Sequence, residues 1–412
     1  MATTQPIFIH SLFRSASTYF FQKFRSVGGG LTCYQEPFNE MLVALNEPAS
    51  HERLLGAQDG SLRHPPLDMP YFYEFWTRRH QLAGLYQQAF AYEQYFPDES
   101  GRLPTPQAAY LSALIEQAAD RPVLQFCRSS GRIGALRRAF GGVHIHVWRE
   151  PRNQWWSYKV AGYFDRVTQS IYGCKQLPSA LRSIRDLADI GGKRVYVLRP
   201  RESYLAFYGV WLDAWLRLQS QAELSISMDG IVTSGAENAE SSRRLSELTG
   251  HALDLSDVRS SGMVFTAEEQ AFYSEIEAAV NGVFMQTGQA TWQQIEAAGE
   301  AARAARRPYE RLKHDPVVER NLRQASLAMM EQLAGLEWVG TRIRVTQFDP
   351  RLLRDYWRVL TLLWSRFARG GRTGPIGSSA DPRPGAAPGA GPAAEPAVHA
   401  RPSVRASRSR LL

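Results

Sequence analysis

Lysine is nearly missing from this chain: of its 48 basic residues among 412, only five are lysine. Cysteine is also sparse. Cys33, Cys127 and Cys174 lie far apart with no CxxC pair, which indicates neither a zinc site nor a disulfide framework and makes a reducing compartment the expectation. No run of about 18 uninterrupted apolar residues occurs, so no membrane span is expected. The amino terminus, MATTQPIF, has no basic region followed by an apolar core, so a secretory signal is not expected and a cytoplasmic location is the reading. There is no GxxxxGK[ST], which sets aside the phosphate loop of ordinary ATPases and GTPases. Before the carboxyl-terminal tail there is also no Lys/Arg run of the length that nucleic acid or anionic membranes attract, and no nucleic-acid partner is expected.

What is present is a core-forming composition, 44% apolar with 10 tryptophans, and a formal charge of +8. The basic side is almost all guanidinium, which favours planar, bidentate recognition of phosphate, sulfate or carboxylate. From Gly370 the text turns to Gly, Ala, Pro, Ser and Arg, and such a segment cannot bury enough apolar surface to order itself. The expected organisation is therefore an α/β domain over 1–369 and a disordered tail over 370–412.

Strand and helix signals alternate along the ordered part. Strands are expected at 6–10, 31–35, 122–126, 143–148 and 224–227. Helices are expected at 17–26, 107–119, 131–140, from 151, at 203–221 and at 239–250. That alternation implies a parallel sheet flanked by helices on both faces. Two largely helical insertions interrupt it: 68–96, with ten aromatics, and 266–369, which ends in LLRDYWRVLTLLWSRF. Packing is the plainer account of the aromatics, although such a cluster can also stack on sugar rings.

Two turns concentrate anion-binding groups. In PIFIHSLFRSASTYFFQKF (6–24) the passage from strand to helix carries Arg14, Ser15, Ser17 and Thr18. In an open parallel sheet ligands bind outside the carboxyl ends of the strands, where a following helix aims its unpaired N–H groups and positive end at one spot. In VHIHVWREPRNQWWSY (143–158) Arg149 stands at a strand end, Pro151 suits a first helical position, and Ser157 lies two turns on.

Together these segments resemble the sulfotransferases that use 3′-phosphoadenylyl sulfate, in particular their bacterial and carbohydrate-modifying members. FRSASTYF is similar to their 5′-phosphosulfate loop, and Arg149 with Ser157 to their 3′-phosphate motif. YQEPFNEM (34–41) is similar to a Glu-Pro-Phe segment on their second strand, and LSISMDGI with RRLSELTGHALDLS to a late strand and helix. The likeness covers 6–41, 122–160 and 203–256. Ala16 stands where the family usually has glycine, and Arg14 where many members have lysine. The carboxyl-terminal Arg-Lys-Gly signature is absent, with only a faint echo at Arg259.

The resemblance implies a P-loop-like sulfotransferase fold and transfer of a sulfuryl group from 3′-phosphoadenylyl sulfate to a hydroxyl or amine, with no metal. It implies that Arg14, Ser15, Ala16, Ser17 and Thr18 hold the phosphosulfate, that Tyr19 lies near the adenine, and that Arg149 and Ser157 bind the 3′-phosphate. Arg14 would also offset charge on the leaving oxygen. Glu36 is the expected base, placed beside the loop if strands one and two pair; His10 is the runner-up. His144 and His146 share a strand face and read as buried, hydrogen-bonded residues. Arg128 and Arg132 are expected on the acceptor side. A glycan, a lipid-linked sugar or a small molecule would suit as acceptor, with peripheral membrane contact compatible. The alternative is a sulfotransferase-like binding protein without catalysis.

Overall fold

A computed structural model of the chain describes residues 5–56, 69–159, 163–190, 198–259 and 262–310, with two short strands inside 336–345. The chain divides into units Met1–Leu362 and Leu363–Leu412, and all described residues belong to the first. The expected tail at 370–412 and the helix expected near 352–367 lie outside the described residues.

All five expected strands form: β1 (Ile7–Ser11), β2 (Leu31–Gln35), β3 (Arg121–Phe126), β4 (Val143–Trp148) and β5 (Leu224–Ser227). They pair in parallel in the order β2-β3-β1-β4-β5. One expectation is corrected here. β1 does not pair with β2, because β3 is inserted between them. A crossover sets handedness, and it leaves open how many strands are skipped.

Each strand buries both faces, as a parallel sheet covered by helices requires. On one face Ile7, Ile9, Val123, Ile145 and Ile226 pack against Phe20, Phe21 and Phe24 of the helix Ser17–Arg25 and Leu245 of the helix Gly235–Thr249. On the other, Phe8, Tyr34, Leu124 and Phe126 meet Tyr71, Phe72, Phe75, Tyr86 and Phe90 of the aromatic insertion. The aromatics are thus core, as the plainer account had it. The insertion is less helical than expected, with two short helices, Tyr73–Thr77 and Arg79–Leu82, and a single 3-10 turn, Gln88–Phe90, among its described residues.

A third core surrounds the helix Pro200–Gln221, which buries aromatic side chains around much of its circumference. It is closed by the helices Ala267–Gln286 and Trp292–Glu310. The stretch 266–369, expected to be helical, also contains an antiparallel pair, Leu336–Val339 with Arg342–Val345. In the sequence, LEWV and the strictly alternating RIRV are short runs rich in β-branched and aromatic residues separated by the dipeptide GT, a hairpin signal and not a helical one.

Candidate functional site

In the order β2-β3-β1-β4-β5 the chain leaves β1 towards β2 on one side and leaves β4 towards β5 on the other. The order therefore reverses between β1 and β4, and in open α/β sheets such a reversal is where ligands bind, outside the carboxyl ends of the strands. The two turns singled out in the sequence are the ones that emerge at this point.

Backbone strain marks the first turn. Among the described residues, four non-glycines have φ in the left-handed region: Arg14 (62°), Ala16 (62°), Glu36 (48°) and Asp189 (51°). Three of the four sit on the loops that follow β1 and β2. Ala16 is the N-cap of the helix Ser17–Arg25, at φ 62° and ψ 24°, and supplies no side-chain cap. The loop keeps the conformation for which glycine is usually chosen, and does so with alanine.

The hydroxyls of this loop turn inward, against the expectation that they face an anion. Ser15 Oγ donates to the Leu12 carbonyl at 2.7 Å, Ser17 Oγ lies 3.4 Å from Cys127 Sγ, and Thr18 Oγ1 accepts from Gln35 Nε2 at 3.5 Å. Ser15 thus closes the loop on itself, while Ser17 and Thr18 brace it on the segment after β3 and on the end of β2. Burial pushes the Cys127 thiol up to about 12, so it stays protonated beside them. What the loop offers outward is the first turn of an uncapped helix and the half-buried Arg14.

Arg14 meets the second turn directly. Its Nε donates to Ser157 Oγ at 2.9 Å, and its guanidinium lies 5.8 Å from the Phe164 ring centroid. Ser157 belongs to the helix Pro151–Tyr158, whose N-cap is Glu150, with Oε2 accepting from Asn153 N at 2.8 Å. One turn before Ser157, Gln154 Nε2 donates to the Phe13 carbonyl at 2.7 Å. Comparison with protein families, with curated proteins and with solved structures finds no match. The site is thus described by its own geometry.

Arg149, at the end of β4, directs Nε towards Asp229 Oδ1 at 3.4 Å, while Asp229 Oδ2 accepts from Glu150 N at 2.7 Å. The buried Glu150 carboxylate is in turn 2.8 Å from Arg306 Nη2 of the helix Trp292–Glu310, and Tyr309 OH reaches Asp229 at 3.4 Å. Sequence reading missed this scaffold. Glu150 before Pro151 was the one local signal for it, as an N-cap followed by proline at the first helical position.

Glu36 follows β2 and its amide donates to Gln125 O at 2.7 Å, which keeps it on the carboxyl edge although β2 is not the neighbour of β1. Its carboxylate is closely paired with Arg128, which also reaches Glu40. Tyr71 OH donates to Oε1 at 2.7 Å and Asn39 Nδ2 to Oε2 at 3.0 Å. Burial works to raise the Glu36 pKa, but the Arg128 charge and these hydrogen bonds outweigh it and hold the carboxyl below the usual range. The expected base and an expected acceptor-side arginine are therefore partners of each other. Arg128 is stacked 4.6 Å from the Phe13 ring and 5.2 Å from that of Tyr92.

The remaining sequence candidates have partners outside the loop after β1. Arg132 is buried in the core, with Nη1 donating to Phe90 O at 3.0 Å and its guanidinium 4.3 Å from the Phe38 ring; burial pushes its pKa down to about 10. Tyr19 OH donates to Asp257 at 2.7 Å, and Lys23 binds the same carboxylate at 2.7 Å. Arg259 lies on the exposed stretch just beyond.

The histidines form a buried chain. His144 Nε2 is 2.9 Å from Gly141 O, a pure acceptor, so that nitrogen carries the proton. Its Nδ1 then accepts from His10 Nε2 at 2.9 Å, and His10 Nδ1 accepts from Ser129 Oγ at 2.7 Å. Burial lowers His10 well below its ordinary value, His144 to about 4 and His146 to about 3. His146 is paired with Ser225 at 3.0 Å. His10, completely buried, already spends the lone pair a base would need on Ser129.

Proposed function

We propose that this chain is a sulfotransferase. It would move a sulfuryl group from 3′-phosphoadenylyl sulfate to a hydroxyl or amine of a glycan, a lipid-linked sugar or a small molecule. One observation carries the reading: the 2.9 Å hydrogen bond from Arg14 Nε to Ser157 Oγ, which joins the loop after β1 to the helix after β4 where the strand order reverses. Two segments chosen from sequence for the two ends of one nucleotide are neighbours in space.

The donor set fits a ligand with several negative charges. Arg14 and the first turn of the helix Ser17–Arg25 would take the phosphosulfate, Arg149 and Ser157 the 3′-phosphate, with Tyr19 near the base. The nucleotide supplies an activated sulfuryl group. Arg14 stabilises negative charge at the leaving side, and the braced loop keeps that guanidinium in place throughout. Glu36 receives the acceptor's proton. Because Arg128 and two hydrogen bonds hold Glu36 as a low-pKa carboxylate, that step calls for an acceptor group that displaces part of this pairing.

The same pairing favours a second reading, a protein that binds the nucleotide without catalysis, with Glu36–Arg128 as a structural ion pair. Calorimetric titration of adenosine 3′,5′-bisphosphate into the full chain tests both. Micromolar binding lost in Arg149→Ala supports the donor site, and turnover of any acceptor then separates enzyme from binder. Absence of binding to the wild type refutes both readings.

A further inference from the structure

The strain at Arg14 needs something to maintain it. φ of Arg14 is set by the orientation of the peptide plane between Phe13 and Arg14, and a flip of that plane would carry the residue out of the left-handed region. The carbonyl of that plane is the one held by Gln154 Nε2 at 2.7 Å. Gln154 is 1% exposed, and a carbonyl only accepts, so the amide nitrogen must face Phe13. Its Oε1 has no hydrogen-bond partner among the described residues, and Gln154 borders a small cavity together with Trp211 and Trp215. Among the described residues the side chain thus makes a single hydrogen bond, and that bond falls on the peptide whose rotation sets φ of Arg14.

Gln154 and Ser157 are three residues apart, on one face of the helix Pro151–Tyr158. Gln154 holds the backbone before Arg14, and Ser157 holds the Arg14 side chain. We propose that Gln154 is a positioning residue, which clamps the Phe13–Arg14 peptide so that the loop presents Arg14 and the helix N-terminus in the geometry an anion requires. It touches no ligand itself. Its effect on the loop stands on the structure alone, and only its effect on affinity rests on the sulfotransferase reading.

The test uses the full chain with Gln154→Met, which keeps length and apolar volume and removes the donor, and with Gln154→Glu. Amide hydrogen exchange is read on peptides covering 12–21 and 151–158, beside calorimetric affinity for adenosine 3′,5′-bisphosphate. In Gln154→Met, exchange of the Phe20 amide, which donates to the Ala16 carbonyl of the loop at 3.1 Å, is expected to rise tenfold or more, while 151–158 stays within twofold of the wild type and affinity falls about tenfold. Gln154→Glu should resemble Gln154→Met when ionised and the wild type when protonated, since a protonated carboxyl again donates to Phe13. That pH profile survives even if Gln154→Met fails to fold. Unchanged exchange at Phe20, or a rise spread equally over the whole protein, overturns the assignment. Faster loop exchange in a protein whose wild type binds no nucleotide upholds the clamp and removes the sulfotransferase reading.

Discussion

Replacing Ala16 by glycine is expected to stabilise the protein and to tighten anion binding, an unusual pairing for a change at a binding loop. Ala16 sits at φ 62° and ψ 24°, where an L-residue's Cβ crowds the following carbonyl. That conformation costs roughly 1–2 kcal/mol and glycine escapes it. Glycine also frees the unfolded chain, which returns about 0.4–1 kcal/mol. The net gain is about 0.5–1 kcal/mol, or roughly 1–2 °C in Tm for a domain of this size. Removing Cβ at the N-cap also lets a ligand oxygen approach the first-turn N–H groups. One such charge-assisted bond contributes about 1.5 kcal/mol, so affinity for adenosine 3′,5′-bisphosphate should improve by up to about tenfold. Asp189 is the control, left-handed at φ 51° and placed after the helix Ser179–Leu187, outside the loop. Asp189→Gly should leave affinity unchanged. A fall in Tm for Ala16→Gly would refute the strain account, and a rise in Tm with unaltered affinity would refute the placement of Ala16 against the ligand.

Other outcomes follow from the same geometry. Arg14→Ala should weaken bisphosphate binding roughly tenfold to hundredfold by loss of a charged donor, Ser157→Ala should weaken it less by loss of one neutral contact to the 3′-phosphate, and the double variant should fall short of the summed losses because Ser157 also orients Arg14; strictly additive losses would contradict that coupling. Glu36→Gln should leave bisphosphate affinity within about twofold, lower turnover about a hundredfold, and cost about 3 kcal/mol in chemical denaturation by breaking a buried ion pair; full activity on a real acceptor would end its assignment as the base. Stability should fall on acidification because the unfolded histidines protonate near 6.5 while the buried ones resist, His144 to about 4 and His146 to about 3. The unfolded chain then binds more protons below that pH, and each histidine removes about 2 kcal/mol between pH 7 and 5. A His146→Gln variant whose Tm falls as steeply with acid as the wild type would refute this.

The strands could be read from the sequence because a strand buried on both faces is a short apolar run between turn residues, as in IFIHS and VHIHVW. Their lateral order could not. Nothing local in LTCYQ says that β3 will lie between it and β1. The helices Tyr163–Tyr172 and Ser179–Leu187 escaped notice, since they begin without a clear cap and carry many polar residues. At the site, Arg14, Arg149 and Ser157 were legible as residues, but the directions of their neighbours were not. Ser15, Ser17 and Thr18 look like ligands in FRSASTYF; their partners come from Leu12, from Cys127 beyond β3 and from Gln35 at the end of β2. In the same way Arg128 looked free until β3 brought it to Glu36. Hydrogen-bond capacity is written in the sequence, and its allocation depends on the sheet order.

That allocation explains how a loop with two left-handed non-glycines and a neighbouring left-handed Glu36 persists. Each such residue costs on the order of 1–2 kcal/mol, several kcal/mol for the edge as a whole. Arg14 is held through Phe13 by Gln154 and through its own side chain by Ser157, both from the helix after β4. Glu36 is held by Arg128 from the segment after β3 and by Tyr71 from the aromatic insertion. The two clamps come from different elements, yet they meet at Phe13: Gln154 holds its carbonyl, and the Arg128 guanidinium lies 4.6 Å from its ring. Under the proposed function, an acceptor group that displaces Arg128 from Glu36 would therefore also act on the peptide that sets φ of Arg14. Donor and acceptor sides would then be coupled through one side chain, a link that a structural ion pair alone does not require.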